Sequence, residues 1–166
     1  MKKVLIIGCP GAGKSTFGRA LAAKTGLPLY YLDMIWHRSD RTTVSREEFD
    51  IRLSEIMERP EWIIDGNYKR TLPVRLSEAD TVFFLDYPIE VCMQGAVERL
   101  GKPRPDIPWD GSKDCQLDEE FRQWILDYPK DQLPVIRELL KSYPGPLFIF
   151  HSREEADRFL KGLKRC

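Results

Sequence analysis

The chain has 166 residues, enough for one domain with a sizeable core, and we predict a single domain over residues 1–166. Its 26 lysines and arginines equal its 26 aspartates and glutamates, so the formal net charge is zero. A protein that binds mainly duplex DNA usually carries a basic excess, so this composition argues against that class. No apolar run reaches the ~18 residues of a membrane span, and the four cysteines form no CxxC pair typical of a zinc site. We therefore expect a cytoplasmic protein.

The first predicted element is a strand at residues 4–7 that runs directly into a phosphate-binding pattern. Within GCPGAGKST, Gly8, Gly13, Lys14 and Ser15 stand at the G-x-x-x-x-G-K-[ST] spacing of a P-loop. Glycines let successive N–H groups turn toward a phosphate, and the helix that follows adds the positive end of its dipole. We predict that Lys14 contacts the β- and γ-phosphates and that the Ser15 hydroxyl binds Mg²⁺. The predicted ATP site comprises Gly8, Pro10, Gly11, Ala12, Gly13, Lys14, Ser15 and Thr16.

The rest of the chain alternates between strands and helices. Four further apolar segments predict strands, at residues 27–32, 62–64, 81–85 and 147–150. Helices are predicted from Lys14, over residues 45–58, 72–77 and 88–100, and in the C-terminal third of the chain. Ser45 with Glu48 and Ser152 with Glu155 have the spacing of capping boxes. Because helical segments separate the strands, we predict one α/β domain with parallel strands and helices on both faces.

Two segments interrupt this alternation. Residues 34–44 are polar and mixed, which predicts a loop. Residues 101–116 contain three prolines and two glycines, so we predict an irregular loop that acts as a lid. The helix after it carries an apolar stripe more typical of a core than of a ligand site, formed by Phe121, Trp124, Ile125 and Tyr128. Pro129 and Pro134 are expected to interrupt that helical region.

Carboxylates at the predicted strand ends are candidates for catalysis. Ligands of parallel α/β sheets bind beyond the carboxyl ends of the strands, which should gather Asp33, Asp65, Asp86 and His151 near the P-loop. Asp65 has the position of a Walker B carboxylate that holds Mg²⁺, although Asp-Gly is also a common turn pair. Asp33 either positions an acceptor hydroxyl or caps a helix or turn, and the sequence leaves both open. For Asp86, which Pro88 follows closely, capping is favoured.

Cations near the predicted lid are candidates for stabilising a transferring phosphoryl group. Arg99 and Arg104 flank the start of the lid, and Arg122 lies on the helix after it. Arginines that reach the phosphates when water is excluded would serve this purpose, although any one of them is equally consistent with a solvated surface. Arg70 and Arg75, after the third strand, are weaker candidates for holding an anionic acceptor.

Several segments together resemble a known family. GCPGAGKST, YYLDM, WIIDGNYKR, ADTVFFLDYP and VERLGKPR resemble the adenylate-kinase-like P-loop kinases over nearly the full chain. The resemblance implies a five-stranded sheet of order 2-3-1-4-5, a flexible lid and phosphoryl transfer from Mg-ATP. It also implies that Asp65-Gly66 lies on the magnesium side and that Arg99 packs on adenine and phosphates. Residues 151–153, which include Arg153, would help to hold adenine.

Within that family, LDMIW, DGNY and RPD most resemble the group known as DNA topology modulation proteins (FlaR-type), although no DNA-binding motif accompanies them. Adenylate kinases hold AMP with an arginine where this chain has Trp36, and Lys69 replaces a second arginine. Trp36 either lines the acceptor pocket or covers the core. The resemblance thus supports the ATP site more strongly than AMP as acceptor. The predicted acceptor site comprises Asp33, Trp36, Gly66, Asn67, Tyr68, Arg70 and Arg75.

These observations predict an ATP- and Mg²⁺-dependent kinase that phosphorylates a small molecule, such as a nucleoside, a nucleotide or another metabolite. The alternative is a nucleotide-dependent regulatory ATPase that influences DNA topology through a partner. A third possibility, a P-loop scaffold without turnover, is disfavoured because Lys14 and Ser15 are intact.

Overall fold

A computed structural model describes residues 1–40, 42–108 and 116–164. Arg41 of the predicted loop and residues 109–115 of the predicted lid lie outside this part. Five strands form one parallel sheet in the order β2-β3-β1-β4-β5, as predicted. The strands are β1 (Lys3–Gly8), β2 (Leu29–Tyr31), β3 (Trp62–Asp65), β4 (Thr81–Leu85) and β5 (Leu147–Phe150).

Helices pack around this sheet. They are α1 (Lys14–Thr25), α2 (Leu32–Trp36), α3 (Arg46–Met57), α4 (Leu72–Glu78), α5 (Ile89–Glu98), α6 (Glu119–Asp131), α7 (Leu133–Lys141) and α8 (Arg153–Gly162), with a 3₁₀ turn at Lys69–Thr71. Ser45 caps α3 by accepting from the Glu48 N–H at 3.1 Å, and Ser152 caps α8 through the Glu155 N–H at 3.2 Å. Both predicted helix starts are therefore confirmed. In the part of the chain that is described, no helix is long and apolar enough to cross a membrane.

One local prediction was wrong. Residues 32–36 form the short helix α2, where a strand end and the start of a loop were predicted, because Leu32 and Ile35 lie one helical turn apart and both are buried. The predicted interruption of the later helical region is confirmed, since α6 ends at Asp131 and α7 begins at Leu133. Pro129 itself lies within the last turn of α6, where a proline removes only one late hydrogen bond. Pro134 falls in the first turn of α7, where its missing N–H has no helical acceptor to lose.

The sheet is the centre of the core. The side chains of β1, β3 and β4 are almost entirely buried, and a cluster of phenylalanine rings joins the sheet to α1 and α8. Phe83 of β4 lies 5.1 Å, between ring centroids, from both Phe17 of α1 and Phe159 of α8. Because all five strands run the same way, their carboxyl ends share one edge of the sheet. The P-loop, Asp65 and the start of α2 meet at that edge.

Candidate functional site

The P-loop connects β1 to α1. Gly13 precedes α1 in a left-handed conformation with φ 92°, and no side chain caps the first turn of the helix. The free N–H groups of that turn and the helix dipole therefore remain available to an anion. Lys14 Nζ donates to the carbonyl oxygens of Gly8 at 2.9 Å and Cys9 at 3.1 Å, which holds its ammonium group over the loop. This arrangement suits a bound phosphate.

Helix α5 supports the P-loop from the side through a contact that requires glycine. A Cβ on Gly95 would lie 2.2 Å from the Gly11 carbonyl oxygen, and one on Gly11 would lie 2.0 Å from the Cys92 carbonyl oxygen. No side chain fits between the two backbones. The sequence analysis did not identify Gly95, because a single glycine within a helical pattern does not reveal which element approaches it.

Ser15 and Asp65, the predicted metal ligands, lie in direct contact. Ser15 Oγ donates to Asp65 Oδ2 at 2.7 Å, and Asp65 Oδ1 is buried without a hydrogen-bond partner among the described residues. Burial raises the pKa of Asp65 to about 6, although Lys14 and Ser15 act in the opposite direction. A buried carboxylate oxygen without a partner beside a hydroxyl fits Mg²⁺, which prefers oxygen ligands. Within the described ranges no three histidine, cysteine or acidic side chains converge, so water and phosphate oxygens would complete the coordination.

Asn67 borders the cavity and also contacts the P-loop. Its Nδ2 donates to the Gly8 carbonyl oxygen at 2.7 Å, and its Oδ1 accepts from the Gly8 N–H at 2.9 Å. The residue borders the cavity, but its amide is engaged by the start of the P-loop. Asn67 therefore links the P-loop to the segment after β3, and its place in the acceptor site stays a prediction.

Asp33 lies in the first turn of α2, and among the described residues no backbone N–H donates to its carboxylate. The residue before α2 is Tyr31, and no side chain caps that helix. Asp33 Oδ1 accepts from the Tyr68 hydroxyl at 2.9 Å, and Asp33 Oδ2 lies 3.7 Å from the Arg104 guanidinium. Arg104 in turn donates to Asp106 Oδ2 at 2.8 Å and holds the pKa of that buried carboxyl below its usual value, against the effect of burial. Within the described part of the chain, the geometry thus favours a positioning role for Asp33 over a capping role.

Sequence reasoning missed Asp106. Only 8% of its surface is exposed, which is unusual for an aspartate in a proline-rich segment. Its proximity to Arg104 in RPD was the available signal, since a buried carboxylate needs a nearby cation.

Arg75 is a structural residue and does not reach the acceptor side of the cavity. Its guanidinium is fully buried and donates to the carbonyl oxygens of Gly66 at 2.8 Å, Tyr68 at 3.1 Å and Asn67. Burial lowers the pKa of Arg75 to about 9. Tyr68 is the one described non-glycine residue with a positive φ, 36°. Three carbonyls held by one guanidinium stabilise this strained conformation, which directs the Tyr68 hydroxyl to Asp33.

Two further predicted arginines also lie outside the cavity. Arg70 is exposed and makes two hydrogen bonds to Asp50, at 2.6 and 2.9 Å. Arg122 is exposed and pairs with Glu119 at 3.2 Å.

Asp86, predicted as a cap, pairs instead with Arg137 at 2.9 Å, while Pro88 precedes α5. His151 is exposed, with Nδ1 4.0 Å from Asp86.

Most of the remaining candidates border one cavity of about 820 Å³. Its lining includes P-loop residues, together with Asp33, Trp36, Tyr68, Arg99, Arg104 and Trp124. The predicted core stripe of α6 is therefore divided, because Ile125 and Tyr128 are buried whereas Trp124 is about half exposed at the cavity.

A second, smaller cavity of about 420 Å³ lies beside the P-loop. Arg99 borders both cavities and lies over the Phe121 ring, 5.1 Å from its centroid. Of these two cavities, Arg153 borders the smaller one only, and its guanidinium donates to the Glu98 carboxylate at 3.3 Å. The two predicted adenine-side arginines thus lie around the same space.

Comparison with known proteins shows that part of the chain is similar in sequence to adenylate kinases. No family model matches the chain. The chain is 34% identical over 91 residues to the adenylate kinase of Thermotoga neapolitana, a match that covers 53% of this chain and 40% of that protein. The adenylate kinase of Thermotoga petrophila is 35% identical over 91 residues, with the same coverage. The match therefore spans less than half the length of these curated relatives.

Solved structures with the same fold include shikimate kinases. The shikimate kinase from Acinetobacter baumannii, solved in complex with shikimate, matches with a TM-score of 0.62 at 21% identity, over 97% of this chain and 92% of that chain. The shikimate kinase from Bacteroides thetaiotaomicron matches with a TM-score of 0.59 at 19% identity, over 95% and 93% of the two chains. These similarities confirm the predicted fold.

Proposed function

We propose that this protein transfers the γ-phosphoryl group of ATP, bound with Mg²⁺, to a small-molecule acceptor. The observation that carries the proposal is the shared cavity. Lys14 and Ser15 of the P-loop border it, and so do Asp33 of α2 and Tyr68 after β3. Phosphoryl transfer depends on placing donor and acceptor in line within one enclosed space, and a shared cavity provides that space.

The P-loop side of the cavity suits the donor. The N–H groups of Gly13 and of the uncapped first turn of α1 would bind the phosphates, and Lys14 would offset the charge on the β- and γ-phosphates. Arg99 and Arg153 border the smaller cavity, where the adenine would lie. Ser15 and Asp65 would hold Mg²⁺, which when bound neutralises charge on the β- and γ-phosphate oxygens.

The part of the cavity around Asp33 and Tyr68, here called the acceptor side, suits the acceptor. Asp33 would orient an acceptor hydroxyl and accept its proton, while Tyr68 fixes the orientation of the Asp33 carboxylate. Arg104, 3.7 Å from Asp33, would offset charge that develops on the transferring phosphoryl group. Arg70, Arg75 and Arg122 have no part in this proposal, because their side chains are engaged away from the cavity.

The comparisons support the reaction class. The relatives that match in sequence are adenylate kinases, and the structures that share the fold are shikimate kinases. Both names denote phosphotransferases, but they imply different acceptors. The acceptor of this chain must therefore be inferred from its own cavity. The resemblance to DNA topology modulation proteins remains a prediction.

Consumption of ATP in the presence of different acceptors tests the proposal. The purified chain would be incubated with Mg-ATP and a panel of nucleosides, nucleoside monophosphates, sugars and hydroxy acids, with duplex DNA as a separate arm. ADP formation would be measured for the parent chain and for Lys14→Ala.

We expect at least one small molecule to stimulate ADP formation by the parent chain and not by Lys14→Ala. Stimulation by DNA and by no metabolite would contradict the proposal and support the regulatory ATPase. Equal ADP formation by the parent and Lys14→Ala would show that the activity does not arise at the P-loop.

A further inference from the structure

The acceptor side of the cavity differs from a site for phosphorylated compounds in how its cations are engaged. Proteins hold phosphate dianions with guanidinium groups that form paired hydrogen bonds. Near this side, Arg38 pairs with Glu48 at 2.6 Å, Arg70 pairs with Asp50, and Arg75 holds three backbone carbonyls. None of these three borders the cavity.

The charge at the acceptor side is also unfavourable for an anion. Arg104 lies 3.7 Å from Asp33 and 2.8 Å from Asp106, so the guanidinium beside Asp33 is already engaged by a second carboxylate. Lys69 borders the cavity too, but it is exposed and donates to the Asp131 carbonyl oxygen at 3.4 Å. Lys102 also borders the cavity and is exposed. Solvated ammonium groups do not replace a guanidinium fork. A second phosphate group placed beside Asp33 would be repelled.

The polar groups that remain suit a hydroxyl. Asp33 Oδ1 is occupied by the Tyr68 hydroxyl, whereas Oδ2 lies 3.7 Å from Arg104, beyond hydrogen-bond distance. The carboxylate is partly exposed, with 42% of the Asp33 side chain accessible. Asp33 Oδ2 is therefore oriented and able to accept a hydrogen bond from an alcohol.

Aromatic rings form the adjacent wall. Trp36 packs edge-on against Phe49, with centroids 5.8 Å apart, and against Tyr68 at 6.3 Å. Tyr68 stacks on Phe49 at 5.0 Å, so three rings hold one another in place. Both Trp36 and Tyr68 border the cavity. A rigid aromatic wall beside a hydrogen-bond acceptor suits a cyclic compound with hydroxyl groups, because ring faces pack on it at low entropic cost.

We infer that the acceptor is an uncharged cyclic alcohol, of the nucleoside or sugar class, whose ring packs on Trp36 and whose hydroxyl binds Asp33. The inference rests on the proposed function for its chemical step. The alcohol oxygen bonds to the γ-phosphorus of ATP, and the bond from that phosphorus to the bridging oxygen breaks. ADP leaves with the electron pair, and the hydroxyl proton passes to Asp33. The products are a phosphate monoester, ADP and one proton.

The test compares binding of matched pairs of compounds, each pair being an alcohol and its own phosphate monoester. One arm uses nucleosides with their 5′-monophosphates, and the other uses sugars with their sugar phosphates. Binding is measured by titration calorimetry in the presence of Mg²⁺ and a non-hydrolysable ATP analogue. This readout needs no turnover, so it separates the acceptor class from the proposed reaction. ATP consumption is measured in parallel to test that reaction.

We expect at least one uncharged alcohol to bind about tenfold or more tightly than its phosphate monoester. Asp33→Asn should reduce that preference, because the variant no longer repels the phosphate group of the monoester. Trp36→Ala should weaken binding of the alcohol and leave the affinity for the ATP analogue unchanged. Asp127→Asn, on α6 and outside both cavities, is the charge-matched control and should retain the full preference.

Tighter binding of the phosphorylated member would overturn the inference, and so would binding of neither member in every pair. A preference for the alcohol without ATP consumption would uphold the acceptor class and contradict the kinase reaction. A preference that Asp33→Asn leaves unchanged would contradict the assignment of the alcohol to Asp33.

Discussion

Asn67 and Gly8 exchange two hydrogen bonds, one in each direction, between a side-chain amide and a backbone peptide group. Gly8 is the last residue of β1 and the first of the P-loop, whereas Asn67 follows β3. The pair therefore links the phosphate-binding loop to the segment that contains Tyr68. A change at Asn67 should affect ATP binding although its side chain need not touch the nucleotide.

Asn67→Asp tests this link. The substitution removes the Nδ2 donor and places a carboxylate oxygen against the Gly8 carbonyl. We expect a loss of about 1–3 kcal/mol in the free energy of unfolding, the scale for an unsatisfied buried polar group. We also expect about tenfold weaker ATP binding, equivalent to about 1.4 kcal/mol. Urea unfolding and titration calorimetry measure the two effects. Gln123→Glu, an amide-to-acid change on α6 outside both cavities, should leave ATP affinity unchanged.

Gly95→Ala should displace the P-loop, because the new Cβ would meet the Gly11 carbonyl oxygen at 2.2 Å. The backbone of α5 or of the loop must then move, at a cost of about 1–3 kcal/mol for overpacking. ATP affinity and stability should both fall. Gly162→Ala is the matched control, since that glycine ends α8 and a Cβ there meets nothing within 4 Å. If Gly95→Ala binds ATP like the parent chain, the contact with α5 does not shape the P-loop.

Asp65→Asn should change how stability depends on pH. Because the folded pKa of about 6 exceeds the ordinary value of 3.8, the protonated carboxyl stabilises the fold below the ordinary value, and this contribution is lost as pH rises through 6. Without nucleotide or metal, the variant should therefore be more stable than the parent at neutral pH, by on the order of 3 kcal/mol. The difference should disappear toward pH 4. Urea unfolding at a series of pH values measures it.

Asp80→Asn should show the opposite dependence of stability on pH: the variant should be less stable than the parent at neutral pH, and the difference should shrink as pH falls. Asp80 accepts from the N–H groups of Lys2 at 2.7 Å and Lys3 at 3.0 Å, and its pKa is lowered despite partial burial. Its contribution is present above the ordinary pKa and is lost as pH falls through the folded value. If both variants changed stability with pH in the same direction, burial would not be what raises the pKa of Asp65.

The Asp65→Asn substitution should also raise the Mg²⁺ concentration needed for half-maximal ATP turnover. An amide oxygen is a neutral and weaker ligand for Mg²⁺ than a carboxylate, while the change in shape is small. Measurement of turnover against Mg²⁺ at saturating ATP tests this expectation. A parent-like titration would reduce Asp65 to a strand-end residue.

Arg75→Ala should be strongly destabilising, because three buried carbonyls lose their shared donor and a cavity remains. We expect a loss of about 3–5 kcal/mol in the free energy of unfolding. Arg70→Ala, five residues earlier, removes only an exposed pair with Asp50 and should cost less than about 1 kcal/mol. Urea unfolding compares the two directly. Similar losses for both variants would contradict the structural role of Arg75.

The sequence analysis succeeded where the signal was local or followed from the topology. The P-loop has fixed spacing, and parallel strands necessarily bring Asp33, Asp65 and the loop to one edge. It failed where side-chain direction decides the role. The position of Arg75 after β3 predicts a place at the acceptor. In the structure, Arg75 lies on α4 and its buried guanidinium donates to the Gly66 carbonyl oxygen instead. Nothing local distinguishes a buried arginine from an exposed one, and nothing local pairs Gly95 with Gly11.

The fate of the γ-phosphate tests the central claim most directly. The parent chain would be incubated with Mg-ATP labelled at the γ-phosphate and the acceptor that stimulates ADP formation, and labelled organic phosphate and inorganic phosphate would be separated. The account predicts that organic phosphate forms in equal amount to ADP. It also predicts that Lys14→Ala reduces this product by a factor on the order of 10² or more, whereas Lys24→Ala on the same helix does not. Release of all the label as inorganic phosphate would contradict it.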